Sequence, residues 1–123
     1  MDEGRPIFQQ IAEQIENDII AGVLPEESQV PSTNEFAAFH RINPATAGKG
    51  VNLLVDTGVL YKKRGIGMFV AEGARDRIVA QRRDQFREQY VQPLLVEAEK
   101  LGISPEQLAT MIQKPAIQKG GRS

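Results

Sequence analysis

Few side chains in this sequence are equipped for chemistry. It has one histidine and no cysteine, which excludes thiolate nucleophiles, disulfides and Cys-based metal sites. His40 is the one group that ordinarily titrates near neutral pH, so a triad would have to be assembled around it. It stands in AAFHRIN with no second histidine to complete a metal pair, and reads as a helix-end or turn residue. The carboxylates Glu26 and Glu27, or Glu97 and Glu99, lie on polar stretches and read as solvated. This inventory indicates no enzyme, no cofactor and no resident metal. What remains is a group of cations, Arg41, Lys49, Lys62, Lys63 and Arg64, which fall within residues 41–70. A local basic surface of this kind can find a polyanion.

The chain has 123 residues, of which 41% are apolar and 25% charged, and a formal net charge of −1. By segment the charge is uneven. Residues 1–40 hold one base and eight acids, net −7, and residues 41–70 hold five bases against Asp56 alone, net +4. Residues 71–123 hold nine bases and seven acids, net +2. An acidic first third opposes indiscriminate adhesion to nucleic acid. The plainer reading of 41–70 is a solvated face with scattered lysines. The length suits one ordinary domain, or a small domain with an appendage, at roughly 100–200 residues per domain. No apolar run approaches the ~20 residues of a membrane helix, and MDEGRP lacks an apolar signal core. A cytoplasmic protein with no membrane partner is expected.

Local signals set out the elements that must position those cations. Phe8, Ile11, Ile15 and Ile19 form a helical stripe, with Pro6 at its entrance and Gly22 past its end. VLPEESQVP reads as extended chain and turn. Ser32-Thr33-Asn34-Glu35 is a capping box opening a short helix whose apolar side is Phe36, Ala37 and Phe39. After the turn HRI, Asn43 caps a second helix with Pro44 at its first position. Ala47, Val51 and Leu54 give that helix a buried face, and Gly58 ends it. Two short helices joined by a tight turn make a helix-turn-helix over about residues 33–52. VLYKK and MFV then flank Arg64-Gly65-Ile66-Gly67, a hairpin over about 59–70 with a basic, glycine-rich tip. Helices followed by such a hairpin make a winged helix-turn-helix.

From Ala74 the pattern changes. Val79, Phe86, Tyr90, Leu94 and Leu101 step by 7, 4, 4 and 7 along a helix of some 25 residues that Pro93 should kink or break. Gly102 closes it. Ser104-Pro105-Glu106-Gln107 opens another helix with Leu108, Met111 and Ile112 on its apolar side, and QKGGRS reads as a frayed tail. Two helices in this span cannot enclose a core alone, so their seam must pack on the winged domain or on a second copy. The expected fold is mainly α with a small β-hairpin. It divides into a winged domain, 1–73, and a two-helix dimerisation region, 74–123, with an interface of Val79, Phe86, Tyr90, Leu94, Leu101, Leu108, Met111 and Ile112.

Residues 22–70 carry G-x-L-P, P-S-x-x-x-F-A, N-P-x-T, L-x-x-x-G-x-L and G-x-G-x-F-V in order. This stretch, extended back through PIFQQIAEQI, resembles the winged-helix domain of the GntR family of bacterial transcription regulators. The short two-helix tail resembles its YtrA-type subfamily. The resemblance implies a homodimeric repressor on a pseudo-palindromic operator of double-stranded DNA, with the helix after Asn43 in the major groove. It places Ser32, Asn34, Arg41, Asn43, Ala45, Thr46 and Lys49 toward DNA, and Lys62, Lys63, Arg64, Gly65 and Gly67 on the wing. YtrA-type regulators commonly sit beside transporter genes, which points to control of an ABC-type transport operon. Family members often have Arg where Asn34 stands, and other branches have Arg in place of Pro44 and Gly48. Guanine contacts worth ~1–3 kcal/mol each are thereby lost, leaving readout to Asn43, Lys49 and groove shape. Gly48 and Gly50 each cost the helix up to about 1 kcal/mol, and Gly50 is expected to permit close helix packing.

Each feature has a plainer role. Ser32, Asn43 and Thr46 would cap helices in any protein, and the wing cations would be solvated hairpin residues. The alternative function is a protein-interaction module that keeps the winged scaffold without binding DNA. A small-molecule effector fits at the seam, although no constellation of polar groups names it.

Overall fold

The computed structural model describes residues 4–114. The tail expected to fray, 118–123, lies outside them. The chain forms two compact units, the first reaching Arg82 and the second beginning at Arg83.

The first unit is organised around α1 (Ile7–Ile20), which buries Ile11, Ile15 and Ile19. Helices α2 (Thr33–His40) and α3 (Pro44–Asp56) follow, then strands β1 (Leu60–Lys63) and β2 (Gly67–Val70). The caps are as the local sequence dictates. Ser32 Oγ accepts from the Glu35 amide at 3.1 Å while Glu35 Oε1 accepts from the Ser32 amide at 2.9 Å, which closes the capping box of α2. Asn43 Oδ1 accepts from the Ala45 amide at 2.7 Å, and Pro44 opens α3. Between them Arg41 takes a left-handed conformation, φ 57° and ψ 49°, and so turns the chain from one helix to the next. The core joins Ile11, Ile15 and Ile19 to Phe36 and Ala37 of α2 and to Ala47, Val51 and Leu54 of α3, closed by Leu60 and Val70 of the hairpin. At roughly 1.5–3 kcal/mol per fully buried aliphatic side chain, this cluster is what holds the unit together.

The extended segment before α2 has a partner that its own residues do not reveal. Gln29 bridges Phe69 of β2, the Val30 amide donates to the Met68 carbonyl, and the Val70 amide donates to the Ser28 carbonyl. The hairpin, in register from Leu60 opposite Val70 to Lys63 opposite Gly67, thus gains a third, short antiparallel edge.

Phe39 departs from expectation. Rather than completing the apolar side of α2 it is 82% exposed. Phe36, Ala37 and His40 occupy the inward arc of the helix, so Phe39 falls outside it and meets the His40 ring edge-on at 5.0 Å. His40 also lies against Phe36, with centroids 4.3 Å apart, as a helix-end residue packed on aromatics.

Ala74 and Ile78, on the first turns of α4 (Ala74–Phe86), are buried in the core of the first unit. Arg82 of the same helix donates to Asn17 Oδ1 at 2.7 Å and to Glu16 Oε1 at 3.0 Å. Arg75 donates to the Ile20 carbonyl at 3.1 Å. These two bases therefore hold α4 to α1, Arg82 at Glu16 and Asn17 and Arg75 at the carbonyl that ends the helix.

In the second unit the anticipated interruption at Pro93 is a π-helical turn, Arg87–Val91, followed by α5 (Gln92–Lys100). Proline has no N–H for the carbonyl four residues back, and the wider i→i+5 pattern passes over the gap. Helix α6 (Pro105–Gln113) opens with the capping box of Ser104 and Gln107. Ala98 and Leu108 are buried. Phe86, Tyr90, Leu94, Leu101, Met111 and Ile112 of the expected interface are exposed, as are Leu95 and Val96. Leu108 instead holds α6 to its own unit, and Val79 is half-buried within the first.

Candidate nucleic-acid interface

The outward side of α3 is defined by what its inward side buries. Ala47, Gly50, Val51 and Leu54 face the core, so Ala45, Lys49, Asn52 and Asp56 lie on the opposite side, with Thr46 half-buried at the margin. Ala45, Gly48, Lys49, Asn52, Leu53 and Asp56 line a shallow groove together with Phe8 of α1. The Lys49 ammonium sits 4.2 Å from the centroid of the Phe8 ring. Asn43 and Pro44 are exposed at the helix N-terminus, where free backbone N–H groups favour an anion. Ser32 and Asn34 are exposed at the start of α2, and Arg41 in the turn.

Gly50 has a structural reason that its neighbour Gly48 lacks. A Cβ at 50 would stand 2.7 Å from the Phe8 carbonyl oxygen and 2.9 Å from Ile11 Cγ2, so the α1–α3 crossing requires glycine. A Cβ at 48 would meet only the Thr33 methyl at an ordinary 3.6 Å. Nothing in the chain itself explains glycine at 48.

The wing is braced from outside the hairpin. Tyr61 and Phe69 are cross-strand partners with stacked rings 5.9 Å apart, and Lys63 Nζ lies 4.4 Å from the Phe69 centroid. Gln29 Nε2 donates to the Ile66 carbonyl at 3.0 Å, tying the turn to the strand-like segment before α2. Gly67 has φ +147°, and a Cβ there would lie 2.5 Å from that same Gln29 nitrogen. Its glycine is needed to build the wing, whatever the wing touches. Lys62, Arg64 and Gly65 are exposed at the tip. None of Arg41, Lys49, Lys62, Lys63 and Arg64 forms an ion pair among the described residues, in contrast to Arg82 on α4. The sequence offered no sign of Phe8, Gln29 and Glu27 as supports for these cations, because each acts from a distant part of the chain.

The Tyr61 hydroxyl donates to Glu27 Oε1, and that bond, with desolvation and the carboxylate's negative charge, raises the phenol above its ordinary range. A raised folded-state value means that the contribution is complete below the unfolded tyrosine value near ~10 and is lost as pH rises through the folded one. Alkaline titration of stability should therefore show a loss above about pH 10 that Tyr61→Phe abolishes. Chemical denaturation of both proteins between neutral and alkaline pH checks this, and parallel curves would refute it.

A winged helix-turn-helix with unpaired cations on its second helix and wing defines a class of regulatory protein. The profile for "Bacterial regulatory proteins, gntR family" matches residues 7–70, and the chain belongs to that family, whose members are transcriptional regulators and not enzymes. Among its relatives is the HTH-type transcriptional repressor YtrA of Bacillus subtilis. The two are 30% identical over 118 residues, which is 95% of this chain and 90% of that one. A GntR-family regulator from Bacteroides thetaiotaomicron has a similar structure, with TM-score 0.76 and 36% identity over 88% of this chain and 94% of its own. The DNA-binding domain of AraR, solved in complex with operator ORR3, matches 58% of this chain and 86% of its own at 30% identity and TM-score 0.54. No helix among the described residues is long and apolar enough to cross a membrane.

Proposed function

We propose that this protein is a homodimeric repressor that binds a pseudo-palindromic DNA operator through α3 and the wing. The observation that carries the reading is the division of labour among its cations. Arg75 and Arg82 are consumed inside the first unit, whereas Lys49, Lys62 and Arg64 are exposed and pair with no carboxylate among the described residues. Unpaired cations are held at a surface where a polyanion can neutralise them and release counterions. Asn43, Ala45, Thr46 and Lys49 enter the major groove, while Ser32, Asn34 and Arg41 meet flanking phosphates. Lys62, Lys63, Arg64 and the glycine-bearing tip, Gly65 and Gly67, reach the wing's side of the site.

Residues 1–73 serve DNA and residues 74–123 serve dimerisation. The exposed apolar seam from Phe86 and Tyr90 through Leu94 and Leu101 to Met111 and Ile112 supplies the self-contact. Clustered exposed apolar side chains mark interaction surfaces. The regulated genes encode an ABC-type transporter, and a small effector, if one acts, binds at the seam. The test is selection of bound duplexes from a random pool, with sedimentation of the free protein. The expected outcome is an inverted repeat bound by a dimer, with affinity falling steeply as salt rises. A folded protein that enriches no duplex at low salt overturns the DNA reading, and a monomer at micromolar concentration overturns the dimer.

A further inference from the structure

We infer that Phe8, outside the helix-turn-helix, is a positioning residue for DNA readout that acts through Lys49; this rests on the DNA-binding reading above. Three observations join to give it. Gly50 lets the first turn of α1 approach the backbone of α3, so that the Phe8 carbonyl occupies the space of a missing Cβ. That approach brings the Phe8 ring beneath the Lys49 ammonium, 4.2 Å from the ring centroid. The ring is also only half-buried, unlike Ile11, Ile15 and Ile19 further along the same stripe, and it forms one wall of the groove on the outward side of α3.

A lysine side chain is a flexible stem carrying a compact charge, and it loses rotamer freedom when it binds. An aromatic face under the ammonium restricts that stem before DNA arrives, while leaving the charge undiminished, as an ion pair would not. The same groove holds Asp56, two helical turns further along the same side of α3. The ammonium lies over the ring and forms no ion pair with this carboxylate. In a recognition helix with glycine at 48, Lys49 is the one cation on α3, so its placement weighs on the whole readout.

The test is a double-mutant cycle on the selected duplex, using the full chain. Phe8→Leu, which keeps an apolar side chain but removes the π face, weakens binding by about two- to fivefold per half-site, the range of an exposed cation–π contact. Phe8→Tyr restores wild-type affinity. In a Lys49→Met background Phe8→Leu has no further effect, and only Lys49→Met lowers the slope of log affinity against log salt, by about 0.9 for each protomer whose lysine meets a phosphate. A Phe8→Leu loss that persists undiminished without Lys49 assigns Phe8 to packing alone and overturns the inference. So does unchanged affinity in Phe8→Leu, or failure of Phe8→Tyr to restore it. Should Phe8→Leu fail to fold, that arm is replaced by the resonance of the Lys49 ε-methylene. In the wild-type protein the ring beneath it shifts this resonance upfield, and an unshifted resonance overturns the inference. If the wild-type chain selects no duplex, it is the DNA-binding reading that has failed, a result distinct from each of these.

Discussion

Alanine at Lys62, Lys63 and Arg64 together is expected to lower affinity for the selected operator by about two orders of magnitude per half-site near 0.1 M salt. The reasoning is electrostatic. Each cation that neutralises a phosphate contributes about 0.9 to the slope of log affinity against log salt. Losing three in each protomer should reduce the slope by about 2.7 per half-site, about 5.4 for the dimer, which at that salt amounts to a few hundredfold at most per half-site. The fold should survive, because these cations do not build the wing. The hairpin is held by its register, by the Gln29 contact to the turn and by the hydrogen bond from Tyr61 to Glu27. Lys63 alone gives up an internal contact, its approach to the Phe69 ring, worth about 0.5–1 kcal/mol at an exposed site. Salt titrations of both proteins, with thermal melts beside them, decide the matter. An unaltered slope would remove the wing from the interface.

The second large effect is expected from Gly50→Ala. Alanine normally stabilises a helix by about 1 kcal/mol over glycine. Here the added methyl would stand 2.7 Å from a backbone carbonyl oxygen and within 3.0 Å of Ile11 side-chain atoms, and none of these is the loose end of a flexible chain. Forcing α1 away from α3 costs about 1–3 kcal/mol, and more where backbone must move. The net loss should be about 1–2 kcal/mol, or some 4–16 °C in Tm for a unit of this size. Gly48→Ala is the internal control, since its methyl meets only a 3.6 Å contact and the helix gains. Equal or higher stability in Gly50→Ala would show that the crossing yields cheaply. The substitution also displaces Phe8 from Lys49, so the variant should bind DNA more weakly than its stability alone accounts for.

Much of this architecture is written in short stretches. The capping boxes at Ser32–Glu35 and Ser104–Gln107, and the Asn43–Pro44 start of α3, are read directly from sequence because donor, acceptor and helix start lie within four residues. The break at Pro93 follows from one missing N–H. The close approach at Gly50 was legible as a glycine without local purpose in a helix. The family resemblance rests on the order of such signals.

Other features needed the folded chain. Phe39 looks like a core residue by type and spacing, and its exposure follows only from which arc of α2 turns inward. Leu108 matches the outward seam by periodicity yet is buried within its own unit. The cations are equally visible in the sequence, but it does not say which are spent internally. Arg82 meets Glu16 across 66 residues, and Tyr61 meets Glu27 across 34. Gln29 reaches Gly67 across 38 residues, and Phe8 lies under Lys49 across 41. Helix ends, turns and the order of elements were thus set by the sequence alone, because they depend on neighbours along the chain. Which cations remain free for a partner, and what holds them in place, was decided by the tertiary structure, because a side chain's electrostatic and packing partners are set by distance in space.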